Sequence, residues 1–182
     1  MQRCKRCCKT YFQAALGNGL RQPENANREF KMENTLKIHR TFFPIKTATF
    51  QYCPPSANQA YAGWNFDIDC GENINLTPRH ALYGRTPRLY AEADPVPLAN
   101  QPDLTGVTLH IPEAWNAEHN EPYFTLYVYE HGDLLDAKLK FIEKQGNAYR
   151  IHFTARIPAG SVYSSETKLT IDTWIERLPD YA

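Results

Sequence analysis

No window of this chain comes near the ~20 consecutive apolar residues that a bilayer-spanning helix requires, so no helical span and no membrane partner are expected. The basic N-terminus resembles the start of an export signal, but the apolar core that must follow is missing. Gln13, Gly17, Asn18 and Gly19 interrupt Tyr11 to Leu20. Nor is there an excess charge of either sign, because 20 Lys and Arg offset 20 Asp and Glu. No segment sustains the 3.6-residue period of a long amphipathic helix, and no internal repeat is found.

Catalytic signatures are also missing. His39, His80, His110, His119, His131 and His152 form no His-x-His or His-x-x-x-His pair. No Gly-x-Ser-x-Gly elbow and no Gly-rich phosphate loop occurs, and Ser164-Ser165 has no base near it in the sequence. Cys4, Cys7 and Cys8 look like half of a zinc site, but a structural zinc wants four ligands and no second Cys-x-x-Cys exists. Cys53 and Cys70 stand alone. Five cysteines, an odd number, in a chain long enough to fold without bridges read as reduced thiols in the cytoplasm.

The zero net charge is a cancellation. Residues 1–31 carry seven basic and two acidic side chains, leaving 13 basic and 18 acidic for Met32 onward. The expected division is therefore a basic tail over 1–31, flexible or the product of an upstream start codon, and one acidic domain over 32–182. An acidic body argues against nucleic acid as a partner, since phosphate binding needs clustered cations. Arg79, Arg85 and Arg88 are the only basic group close in sequence there, and solvation or ion pairing explains them without a phosphate.

What the sequence does contain is alternation. Tyr149, Ile151, Phe153, Ala155 and Ile157 face one way while Arg150, His152, Thr154 and Arg156 face the other. Leu135, Ala137, Leu139 and Phe141 repeat the pattern against Asp136, Lys138 and Lys140, as strands with one buried face must. With Tyr123 to Glu130, and with Gly132 and Gly146 as turn residues, these runs predict a C-terminal β-meander. Further strands are expected around Leu36 to Phe42, Ala48 to Tyr52, Trp64 to Cys70, Arg88 to Ala93, Val107 to Ile111 and Leu169 to Ile175. Glu113 to Asn120 is expected to give a single helical turn. The fold class is all-β, an antiparallel β-sandwich of about eight or nine short strands, for which a jelly roll is one topology.

Two constellations could carry function. Asp67, Asp69 and Glu72 are the densest acidic group, with two carboxylates on one strand face. They are the candidate ligands for a hard cation such as Ca²⁺, although the spacing departs from a calcium loop and no cofactor motif accompanies it. The second is Tyr123, Tyr127 and Tyr129, an aromatic stripe on a face that the neighbouring runs leave polar, with Trp174 as an outward-facing companion. Tyr and Trp supply large contact area with few torsions to freeze. A loop over 73–106 folded across that face would instead bury the rings.

The expected function is therefore a non-catalytic cytoplasmic protein that binds another protein through an acidic, Tyr-bearing sheet face, as a bacterial immunity or antitoxin-like factor would. Acidic charge would speed capture of a basic partner. The alternatives are a carbohydrate-binding β-sandwich module and, third, a hydrolase that uses surface carboxylates. Oligomeric state is not legible.

Overall fold

The computed structural model describes residues 34–57, 60–160 and 163–181. The basic segment 1–31 and its three cysteines lie outside them. The described residues form no helix; they form twelve strands, β1 Thr35–Ile38, β2 Thr41–Cys53, β3 Gly63–Cys70, β4 Arg88–Asp94, β5 Thr108–Ile111, β6 Trp115–Asn116, β7 Glu121–Pro122, β8 Thr125–Tyr127, β9 His131–Asp133, β10 Leu135–Gln145, β11 Ala148–Ile157 and β12 Thr167–Arg177. Ten belong to one sheet in the order β5-β10-β11-β12-β1-β2-β3-β4-β8-β9, and β6 with β7 forms a separate ribbon. All its pairings are antiparallel except a two-residue parallel contact between β12 and β2, Glu176 with Thr49 and Arg177 with Phe50.

The class is all-β, as alternation requires, but the expected two stacked sheets are one strongly curled half-barrel. Alternation cannot separate these cases, because both bury one face of every strand. Pairing of the chain's first and last described strands decides the matter. β12 bonds to β1 over Thr35↔Asp172 to Ile38↔Leu169, which joins the run β1–β4 to the run β10–β12 along one seam.

Three local expectations are corrected. The run from Leu36 to Phe42 is not one strand: it turns at His39-Arg40, with His39 at φ 54°, and Ile38 pairs with Thr41. A two-residue hairpin keeps paired residues on one face, so Thr41, Phe43 and Ile45 point inward rather than Arg40 and Phe42. The helical turn expected over 113–120 is the β6–β7 ribbon. The three-run meander holds only for β10 and β11, which are continued by β12.

The Tyr123 to Glu130 run pairs elsewhere. Its strand β8 bonds to β4 on one side and to β9 on the other. Gly132 is thus inside a strand, and the reversal lies at residues 128–130, where the Val128 amide donates to the Glu130 carbonyl at 3.4 Å. Only Leu134 separates β9 from β10, yet the two occupy different ends of the sheet order. The curl is what makes so short a link feasible. A bulge between Leu135 and Lys138 and a positive φ of 50° at Asp136 turn the chain into its new strand.

The concave face holds the core. Phe50 stacks against Trp64 and Phe66, with ring centroids 5.7 and 5.6 Å away, and meets Phe141 and Tyr149 at 5.7 and 5.8 Å from the other half of the sheet. Phe124, just before β8, packs on Phe66 of β3 and on Phe153 of β11, at 5.4 and 5.2 Å. The turn-rich segments cap this face: Leu82, Val96, Leu98 and Leu104 are buried among the core residues. The Trp64 indole N–H donates to the Leu98 carbonyl at 2.8 Å, which satisfies a polar atom that burial would otherwise penalise.

Phe50 touches both halves of the sheet, so its truncation opens a cavity that neither half can fill alone. Phe50→Ala is expected to lower unfolding stability by about 3–5 kcal/mol in urea titration. Ile74→Ala, at a side chain 89% exposed, should change it by less than about 0.5 kcal/mol.

Candidate functional site

Strand pairing on the convex side gathers the candidate site from four strands. Arg88 stands opposite Asp69 on β3 and opposite Tyr127 on β8; Tyr90 stands opposite Asp67 and Thr125. Tyr127 and Thr125 in turn face His131 and Asp133 of β9. Directly opposed residues share a sheet face, so one wall carries Asp67, Asp69, Arg88, Tyr90, Tyr127, His131 and Asp133.

The contacts within that wall are specific. The Arg88 guanidinium donates to both carboxylate oxygens of Asp67 at 2.8 and 2.9 Å, and lies 3.6 Å from Asp69. His131 is the centre of the aromatic part. Its Nδ1 lies 3.0 Å from the Tyr90 hydroxyl, and its ring meets Tyr90 and Tyr127 edge-on at 5.8 and 5.3 Å. Burial, with Glu92 close by, pushes the Tyr90 phenol above its usual range, so it is neutral at physiological pH. Trp115 from the small ribbon extends the surface, its indole N–H donating to Asp133 at 2.5 Å.

Tyr127 and Tyr129 are 42% and 39% exposed. The segment 73–106 leaves them open to solvent and instead buries Leu82, Leu89, Val96, Leu98 and Leu104 in the core. It meets the pair through Arg88, which stands opposite Tyr127, and through Arg85, whose guanidinium lies 4.1 Å over the Tyr129 ring. Tyr123 differs: it is half-buried and packs against the core. Trp174 is exposed but belongs to β12, which β1, β2, β3 and β4 separate from β8 along the sheet. The stripe thus keeps two of its three tyrosines, and Trp174 stands apart from them.

Asp67 and Asp69 do share a face, as strand periodicity requires. The cation between them is Arg88, and this pair is about 40% exposed, so it contributes little to stability. Glu72 lies beyond the end of β3, exposed beside a cleft lined by Phe42, Pro44 and Asn73. Among the described residues no three His, Cys, Asp or Glu side chains converge in a way that would hold a metal.

Tyr90 and Trp115 join the site without having been singled out by the sequence, and Arg85 and His131, noted there only as a loop cation and an unpaired histidine, join it too. Arg88 and Tyr90 alternate with buried Leu89 and Ala91, which was a sufficient signal that they face outward. Their proximity to Tyr127 depends on the β4–β8 pairing, a contact between distant segments that carries no local signature. Comparison with protein-family models, with curated proteins and with solved structures finds no match for this chain.

One carboxyl beside this wall is electrostatically unusual. β4 and β3 are out of register between Trp64↔Asp94 and Phe66↔Ala91, so Glu92 and Ala93 together stand opposite Asn65. The Asn65 side-chain oxygen accepts the Ala93 N–H at 2.5 Å, and Ala93 has φ 60°. Asp94 then enters the interior, only 6% exposed, accepting the Glu92 N–H at 3.0 Å.

Burial raises the Asp94 pKa from 3.8 to about 6, aided by the charges of Glu121 and Glu92 and opposed by the Glu92 amide. A raised folded-state pKa means that the native form holds the proton longer than the unfolded chain does. Stability should therefore be greatest, with respect to this group, below pH ~4, and fall as pH rises to ~6. Asp94→Asn keeps the acceptor for the Glu92 amide and removes the charge. Urea titration at pH 7 should find it about 2–3 kcal/mol more stable than the parent, with the difference vanishing near pH 4. A difference independent of pH would contradict the assignment.

Proposed function

We propose that this protein is a non-catalytic binding protein that captures a basic protein partner through the Tyr127–Tyr129 wall, in the manner of a cytoplasmic immunity or antitoxin-like factor. The single observation that carries the reading is that the exposed tyrosines lie within the acidic part of the convex face. Asp67, Asp69, Glu92 and Asp133 share that part, with Glu130 in the adjoining turn, against Arg85 and Arg88. Rigid aromatic anchors surrounded by one sign of charge suit fast capture followed by slow release, since charge acts mainly on encounter and buried rings on residence time.

The sugar-binding alternative is weakened by the ring geometry. A pyranose needs an open aromatic face, whereas the faces of Tyr129 and Tyr90 lie beneath Arg85 at 4.1 Å and Arg88 at 5.2 Å. Tyr90 and Tyr127 also meet His131 edge-on, at 80° and 83°, so the imidazole lies in the plane of neither ring and does not extend either into a flat platform. Cys53 and Cys70 are both buried free thiols, which fits the reducing compartment that the proposal assumes.

The full chain with Tyr127→Ala and Tyr129→Ala should lose affinity for its partner by about 100-fold or more. Unfolding stability should fall by no more than about 1 kcal/mol, because both side chains are partly exposed. Association of the parent protein should slow as salt rises. Unchanged capture by the double variant, or a collapse in stability like that expected at Phe50, would overturn the proposal.

A further inference from the structure

A second wall of the same sheet, on β5, β10, β11 and β12, has different chemistry. Its strand register places His110 opposite Lys138, Lys138 opposite Thr154, and Arg156 opposite Lys168. Cations therefore line one patch of a body whose net charge is negative. Asp136 lies among them on its bulge, with φ 50°, its amide tied to the Pro112 carbonyl at 3.0 Å. A non-glycine residue held at positive φ costs about 1–3 kcal/mol, and such costs concentrate at ligand sites.

The Asp136 carboxylate organises the patch. His110 Nε2 lies 2.6 Å from it, Lys138 Nζ 3.4 Å and Arg156 Nε 3.7 Å. Arg156 is held from its other side by Glu166 at 2.7 Å. Lys168 is exposed and has no carboxylate partner among the described residues. Asp136, Lys138, Arg156, Glu166 and Lys168 border a cleft of about 410 Å³ that Thr154 also lines. Three permanent cations against two carboxylates leave an excess positive charge around a concave surface, with the arginine held in position by two acids.

We infer that this cleft is a binding site for a small phosphorylated molecule, with the phosphate held by Lys138, Arg156 and Lys168. A compact dianion suits cationic N–H donors offered from three neighbouring strands, β10, β11 and β12, better than a flat carboxylate does, because it has acceptor oxygens in more than two directions. The site is independent of the tyrosine wall, and its occupant is too small to need the long basic track of a nucleic-acid surface.

The test titrates the full-length protein with sodium phosphate at pH 7.5 and follows backbone amide NMR signals, with sodium chloride at matched ionic strength as reference. Saturable shifts are expected at residues 136–138, 154–156 and 166–168. Lys138→Gln with Lys168→Gln should weaken binding about tenfold or more; both sites are exposed, so the fold is retained. Lys46→Gln, on another part of the sheet, should bind as the parent does. Shifts no larger than those with chloride, or equal binding by the double variant, would overturn the assignment. So would sodium acetate saturating the same signals at the same concentration, because the site would then not distinguish a phosphate from a carboxylate.

Discussion

The whole structure depends on one sheet burying its own concave face. A flat sheet of ten strands would leave one apolar wall in water, and among the described residues no helix packs against that wall. Curling brings the aromatic residues of β2 and β3 against those of β10 and β11, with Phe50 between them. Phe124 closes the second contact, from the β8 end onto Phe153. Native β-twist supplies the sense of the curl, and bulges at Lys46 of β2, Glu92-Ala93 of β4 and Asp136-Ala137 of β10 concentrate it locally.

That constraint also explains where function can reside. The inward residues from Leu36 to Ile175 are consumed by the core, so chemistry is confined to the convex face, the strand ends and the connections. The convex face is electrically divided. Its β3, β4, β8 and β9 part combines carboxylates with Tyr90, Tyr127 and His131, whereas its β10, β11 and β12 part carries Lys138, Lys140, Arg156 and Lys168. A net charge computed over the chain, or even over the folded body, averages these two surfaces away.

Much of this is legible in the sequence, and what is not has a physical reason. Inward and outward faces of Trp64 to Cys70, Ala137 to Phe141, Ala148 to Ile157 and Leu169 to Ile175 follow from period two alone; at Leu135, expected inward, the bulge breaks the alternation, setting it opposite outward-facing Arg156 while Leu134 is buried. The hairpin at His39-Arg40 was invisible because neither residue is a typical turn former; only the positive φ of His39 betrays it. Gly132 misled in the opposite direction, since a glycine between alternating runs is the usual mark of a turn and here lies within β9. Sandwich and half-barrel differ only in whether β12 meets β1, a contact between residues more than 130 positions apart in the chain.

The same reasoning separates the parts of the tyrosine wall by how they could be known. That Tyr127 points away from Leu126 and Val128 is a local fact, and the sequence carries it. That Tyr90, His131 and Arg88 surround it is a fact about pairing, fixed by the core beneath: Leu89 sits opposite Leu126 because both must face inward. A one-residue slip of β8 would turn these buried leucines out of phase, so the inner packing enforces the outer juxtaposition. The recognition surface is therefore a by-product of hydrophobic register, and any substitution that shifts β8 against β4 would dismantle it without touching a single residue on the convex wall.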